Sequence, residues 1–297
     1  MTIDATAPPQ DVPVLGSLSP SRASDFMTCP LLYRFRSIDR LPSSPSSAAA
    51  RGTVVHGVLE RLFELPARRR TLDEAAALLR PEWERLRDAE PDVAELFADE
   101  SELADWLAGA RRLLEGYFAL EDPTRLEPAS REEHVQVVLD GGLRLRGIVD
   151  RLDVAPSGAV RVVDYKSGAA PKEAFEGRAL FQMKFYALVL WRTTGTVPAL
   201  LQLMYLGDRE VLRWRPEEAE LRATERKLVA LWQAIERATE RREFLPRPGR
   251  LCDWCDHQAL CPLFGGTPPP FPEAAAAQGS AGPGSAVPAQ RADGSAT

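Results

Sequence analysis

Four cysteines divide this chain unevenly. Cys29 stands alone near the start, and Cys252, Cys255 and Cys261 follow near the end as C-x2-C-x5-C. Three thiols so close in sequence can share one metal centre, and a tight centre takes four ligands. The one cysteine left to complete the set is Cys29. If all four meet, the two ends of the chain are clasped together and everything between them is a closed unit. Other readings compete. Free cysteine packs well as a small hydrophobe, although the clustering argues against four unrelated buried thiols. A redox pair at Cys252 and Cys255 leaves Cys261 and Cys29 idle. Disulfides need an oxidising compartment, and the first ten residues have neither the basic start nor the apolar run of an export signal. Zinc accepts four thiolates, usually as two short pairs, whereas a [4Fe–4S] cluster tolerates the uneven spacing better.

A chain of 297 residues, 44% hydrophobic, can bury a sizeable core in one large domain or in one domain with an insertion. It has no apolar run as long as a membrane span, so a soluble, cytoplasmic protein is expected. The net charge of −6 argues superficially against a nucleic-acid partner, but it is unevenly spread. Residues 18–70 carry nine Lys/Arg against four Asp/Glu, a net of +5; residues 71–130 sum to −10 and residues 131–265 to +2. Acidity is concentrated in one segment, and a basic groove elsewhere is permitted.

Residues 1–17 read as a flexible N-terminus, and 265–297, rich in Pro, Ala, Gly and Ser, as a disordered tail. Ser19 or Ser21 can cap a helix over 20–33 that carries Cys29, followed by a loop over 41–50. Val55, Leu59, Leu62 and Phe63 recur at helical spacing over 52–65. Residues 71–120 form two or three amphipathic helices, with Trp83, Leu86, Leu103, Trp106, Leu113 and Tyr117 in the buried stripe and the acids on a solvated face. From residue 132 the period changes to two. Residues 134–139 alternate, Asp140-Gly141-Gly142 is a hairpin turn, 143–153 returns as a second strand, and 160–166 is a third. A helix over about 171–192, strands at 200–206 and 211–214, and a long helix over 216–242 lead to the cysteine triplet.

Acids end two of these strands: Asp150, and Asp164 in Val162-Val163-Asp164-Tyr165-Lys166. Asp164 and Lys166, two apart, leave the same face of an extended strand. Carboxylates that converge raise each other's pKa unless a cation sits between them, and Mg²⁺ or Mn²⁺ is the natural occupant. The plainer reading is a structural ion pair, Asp164 with Lys166 or Asp150 with Arg151. His56 lies at the start of a helix between Gly52 and Gly57, which would allow close approach of another element, and Glu60 shares its face at i+4. A lone helical histidine is more often structural, but beside two carboxylates it becomes a candidate ligand. Gln182 and Tyr186 are also four apart on a helix, a stripe that by itself marks only an interface.

Taken in order, these pieces resemble the PD-(D/E)XK nuclease superfamily, specifically its RecB-type exonuclease branch with an iron–sulfur cluster. The branch includes CRISPR-associated adaptation nucleases and the nuclease modules of helicase–nuclease repair complexes. The matching stretches are 51–56 around His56, 147–153 around Asp150, Asp164-Tyr165-Lys166-Ser167-Gly168, 182–186, and the split cysteine set. Val149 stands where the proline that names the superfamily would precede Asp150. The resemblance spans 18–264 and implies an α/β, restriction-endonuclease-like core with a central mixed β-sheet flanked by helices, plus a helical insertion at about 71–130. It implies His56, Asp150, Asp164 and the backbone carbonyl of Tyr165 as ligands of Mg²⁺ or Mn²⁺, with Lys166 orienting or deprotonating the attacking water. Gln182, Tyr186, Arg51 and Glu60 would support the site or touch DNA, and Arg22, Arg34, Arg36 and Arg40 are candidates for phosphate contacts. Cys29, Cys252, Cys255 and Cys261 would hold a [4Fe–4S] cluster, with zinc as the alternative. The implied activity is a DNA exonuclease acting on single-stranded ends in repair or recombination, with a possible helicase or repair partner. The alternative is a catalytically silent DNA-end-binding module of a helicase–nuclease complex.

Overall fold

The computed structural model describes residues 16–170 and 176–272, without the side chains of 176–179. Alternation and turn chemistry build the first hairpin: β2 (Ser130–Val138) pairs antiparallel with β3 (Arg144–Val154). The turn closes through Leu139 N–H to Leu143 O at 2.8 Å, with Gly141 and Gly142 at φ of +89° and +86°, a region glycine enters without steric cost. β4 (Val160–Lys166) adds antiparallel to the far half of β3, and β5 (Leu200–Tyr205) lies parallel to β4 after the crossover helix α7 (Glu176–Thr194). β6 (Glu210–Trp214) closes one edge, and β1 (Ser17–Leu18) pairs parallel with Arg144 and Leu145 at the near end of β3. The result is a six-stranded mixed sheet.

Helices cover both faces. On one side lie α1 (Pro20–Thr28), α2 (Pro30–Tyr33), α7 and α8 (Glu218–Glu240). Their core includes Tyr33, Phe185, Leu188 and Leu221 against Leu145, Val149, Leu152 and Val162 of the sheet. On the other side α3 (Ser47–Leu62), α4 (Leu72–Ala77), α5 (Leu79–Ala89) and α6 (Glu100–Leu120) pack against Val163, Tyr165 and Met204. Trp83, Phe97 and Trp106 meet there with ring centroids 5.2 to 5.3 Å apart, each pair adding about 0.5–1.5 kcal/mol beyond its burial. The 71–130 segment is therefore part of a full layer: a Cβ at Gly116 of α6 would fall 1.8 Å from the Leu206 carbonyl oxygen, so helix and sheet touch backbone to backbone.

Three sequence expectations change. The helix over 20–33 is broken at Cys29, which is extended (φ −158°, ψ 116°) because Pro30 excludes the helical conformation from the residue before it. The helix expected from Gly52 starts at Ser47, inside the expected loop, capped by the Ser46 hydroxyl, which accepts from Ala49 N–H. Residues 265–272, expected to belong to a disordered tail, pack on the body: Phe271 stacks on Phe244 at 6.1 Å and Arg34 donates to Pro269 O. The expectations for 1–15, 171–175 and 273–297 lie outside the described residues.

Candidate active site

β3 serves three neighbours, and the site opens where they change over. β2 flanks it throughout, β1 pairs only with Arg144 and Leu145, and β4 only from Arg151 onward. Between those last two partners lies Asp150. Just past the end of the β3–β4 ladder, the amide of Tyr165 donates to the side chain instead, Asp150 Oδ2, at 2.7 Å. The strict alternation of β3 fails here as well, since Val149 and Leu152 both face the first core. Opposite Asp150, between the pairs Arg131–Arg151 and Glu133–Val149, Glu132 has φ of +44°. A left-handed glutamate costs about 1–3 kcal/mol, and such strain gathers at functional sites.

The conformation of Glu132 turns its carboxylate into a group with Asp150 and His56: one ligand atom from each lies within 4.8 Å of the others. His56, on α3, donates from Nε2 to the Tyr165 carbonyl at 2.9 Å and places Nδ1 3.4 Å from Asp150 Oδ2. Burial alone would lower its pKa, but the hydrogen bond and charge of Asp150, with Asp164 and Glu132 behind it, raise it to about 9. Burial, and then the charge of Asp150, push Glu132 up to about 7. Asp164, 1% exposed, is raised by burial and by Asp150, with Lys166 and His56 opposing. Lys166 Nζ stands 2.6 Å from Asp164 Oδ2 and donates to Gln182 Oε1 at 2.7 Å; Gln182 Nε2 donates to the Tyr186 hydroxyl at 3.0 Å. The stripe on α7 is thus wired to the strand acids.

These donors fit a hard divalent cation. Asp164 Oδ2 is buried and lacks a hydrogen bond of good geometry, and carboxylates and one carbonyl converge on the His56 ring, which serves as a ligand once it gives up the proton those acceptors hold on it. Of the two structural pairs anticipated, Asp164–Lys166 forms and Asp150–Arg151 does not. Arg151, fully buried, binds Glu121 at 2.8 Å, Asp153 at 3.2 Å and the Tyr165 hydroxyl at 2.9 Å, fixing Tyr165 from behind.

A cleft of about 730 Å³ leads to this centre, lined by Ala48, Gly52, His56, Glu60, Glu132 and Lys166 among others. Glu60 therefore stands on the cleft wall. Both anticipated glycines are close approaches: a Cβ at Gly52 would lie 3.1 Å from Ser167 Oγ, and one at Gly57 2.8 Å from Glu82 Oε2. Arg51 is elsewhere, its guanidinium within 3.4 Å of where a Cβ on Gly109 of α6 would stand. Arg34 spends its charge inside the protein on Asp39 at 3.0 Å, and Arg36 pairs with Asp25. Glu132 and Arg151 were not anticipated as site residues. The acid pair 132–133 at the onset of alternation was the only trace of the first, and the backbone twist that aims it leaves no mark on composition.

At the ends of the chain, Cys29 sits at the corner between α1 and α2, where its Sγ accepts the Arg247 N–H at 3.3 Å. Cys29 and Cys261 both pack against the first core. Cys252 opens one short turn and Cys255 closes it, held by Cys255 N–H to Cys252 O at 3.2 Å and by Gln258 to the same carbonyl at 2.6 Å.

Known proteins match this chain over most of its length. A family model described as the PD-(D/E)XK nuclease superfamily matches residues 17–262. The Gene 69 protein of Mycobacterium phage D29 is 26% identical over 276 residues, covering 83% of this chain and 96% of that protein. The Gene 69 protein of Mycobacterium phage L5 is 22% identical over 287 residues, with the same coverage. Among solved structures, the crystal structure of SSO0001 is similar at a TM-score of 0.31 and 17% identity, over 61% of this chain and 79% of that one. With acids on adjacent strands, a lysine two residues beyond the second, and a match over most of its length, the chain belongs to the PD-(D/E)XK nuclease superfamily.

Proposed function

We infer that this chain is a metal-dependent DNA exonuclease of the RecB type, hydrolysing phosphodiester bonds at single-stranded ends in repair or recombination. The observation that carries the reading is the convergence of Asp150, Asp164 and Lys166 at one point of the sheet, with His56 and the Tyr165 carbonyl closing the site. The preference for ends and for a single strand rests on the resemblance of five ordered motifs to that branch.

His56, Asp150, Asp164 and the Tyr165 carbonyl would hold Mg²⁺ or Mn²⁺, with Glu132 beside them. Such an ion supplies Lewis acidity toward the phosphate and brings the ionisation of water near neutral pH. The protein's own groups do the rest. Lys166 donates to Gln182 Oε1, pairs with Asp164 at 2.6 Å and lines the cleft, where its remaining N–H donors are available. Ion-paired to a buried acid, it acts as a cation, orienting water and neutralising charge that builds on the phosphoryl oxygens. Gln182 and Tyr186 hold that ammonium in place from α7.

The four cysteines would hold a [4Fe–4S] cluster as a structural pin. The reading rests on the C-x2-C-x5-C spacing with Cys29 and on the resemblance; among the described residues no three of their sulfurs lie within 4.8 Å of one another.

The test is cleavage of end-labelled single-stranded DNA with Mn²⁺ or Mg²⁺ by anaerobically purified protein, beside Lys166→Ala. Metal-dependent shortening that falls about 10²–10³-fold in the variant is expected, and the position of the label gives the polarity. Folded, iron-loaded protein that binds ends without cutting would move the assignment to a silent end-binding module.

A further inference from the structure

The outer face of the β2–β3 hairpin has no partner in the mechanism. Along this hairpin Val135, Leu139, Leu143, Leu145 and Val149 face the first core, so the alternate residues point away from it. Direct pairing sets those alternate residues in rungs: His134 opposite Ile148, Gln136 opposite Arg146, and Val138 opposite Arg144. The next position in the series is Glu132 beside Asp150, the reactive centre itself. The strip remains open because the α3–α6 layer covers the strands at Val163, Tyr165 and Met204 and leaves the hairpin bare. Ile148 is 41% exposed and Val138 57%, unusual for apolar side chains on a strand face, and His134 and Gln136 are exposed beside them.

Its chemistry suits a polyanion with flat, partly apolar groups. Arg144 and Arg146 form no ion pair or hydrogen bond with any described residue. The pKa of Arg22 is lowered by burial and then by the charges of Arg146 and Arg40, so positive charge gathers along the edge of the strip. Ile148, His134 and Val138 offer surfaces on which bases can lie. Two-residue steps of about 6.6 Å carry the strip roughly 20 Å from Asp150 to Arg144. We propose that this face is the track along which a single DNA strand reaches the reactive centre, its phosphates on Arg144 and Arg146 and its bases over Ile148 and His134. The proposal rests on the nuclease reading for its occupant. Charge complementarity and continuity with the cleft at Glu132 and Asp150 carry the placement.

The experiment measures anisotropy of a fluorescein-labelled oligothymidylate on the full chain, with Ca²⁺ in place of Mg²⁺, across a salt series. Arg144→Glu with Arg146→Glu is compared with Arg222→Glu and Arg226→Glu, the same charge change on α8. The hairpin pair should weaken binding at least about tenfold and flatten the salt dependence by about two, while the α8 pair changes neither. Ile148→Asp, at an exposed position, should weaken binding in the same direction, with thermal midpoints checked for each variant. Equal loss from both arginine pairs, no loss from the hairpin pair, or no binding by the wild type would each overturn the track. A duplex probe weakened as much as the single strand would overturn the choice of occupant. Binding lost through the hairpin in a protein that cuts nothing with Mn²⁺ would leave the track standing and remove the nuclease reading.

Discussion

At the scale of single residues, the site without metal is an imidazolium surrounded by carboxylates, and this makes its stability depend on pH. His56 titrates near 9 folded and near 6.5 unfolded, so it contributes stability in full below about 6.5, which is lost as pH rises through 9. The contribution is about 2–3 kcal/mol, since the side chain is about a quarter exposed. Glu132, raised to about 7, costs stability as it ionises, beginning above its unfolded value near 4.3 and complete above 7. Both effects have one sign: with EDTA present, the thermal midpoint should fall steadily from about pH 5 to pH 9. His56→Gln should flatten the upper part of that slope, and Mn²⁺ at pH 8 should restore the midpoint. A midpoint indifferent to pH in EDTA would count against the imidazolium. Much of this site could be read from the chain, because an acid, a residue and a lysine in an alternating strand must share a face. Glu132 could not, because its role depends on one backbone angle.

Among the elements, two contacts decide how the site is held. A Cβ at Gly147 on β3 would lie 2.6 Å from Tyr186 Cε1, with Pro20 of α1 behind it. Gly147→Ala should therefore displace Tyr186, then Gln182 and the Lys166 ammonium, lowering kcat about tenfold while DNA affinity holds. In a Tyr186→Ala background the same change should cost almost nothing more, and full additivity would disprove the linkage. Gly116→Ala confronts a backbone oxygen that cannot swing aside and should destabilise the protein by about 3 kcal/mol, read by denaturant unfolding. The strands and helices themselves were legible from period and turn chemistry, as at 134–139 and Gly141-Gly142. The break at Cys29 was written in Pro30 and is obvious only once the extended angles are seen. The packing of 71–130 as a layer was hidden, since an acidic amphipathic segment looks the same whether it caps a cleft or covers a sheet.

For the molecule as a whole, the centre is assembled at a boundary. His56 comes from the layer of α3–α6, Gln182 and Tyr186 from the layer of α7 and α8, and the acids from the sheet between them. Of the cysteines, Cys29 and Cys261 pack on the core of the second of these layers. Cys252→Ala should loosen 243–272 toward proteolysis and lower activity by loss of folded protein, and full activity in a folded, iron-free variant would sink the pin. The bond from Arg247 to Cys29 Sγ spans 218 residues. At about 5–20 residues per second, a ribosome needs roughly 10 to 45 seconds to make that stretch. For most of that interval α1, whose Pro20 lies with Tyr186 beside Gly147, has no α8 to rest on, and for all of it Cys29 has no companion thiol. The last strand of the sheet ends at Trp214 and α7 at Thr194, so the nascent chain can complete its sheet and hold Lys166 before Cys252, Cys255 and Cys261 exist to join the two ends.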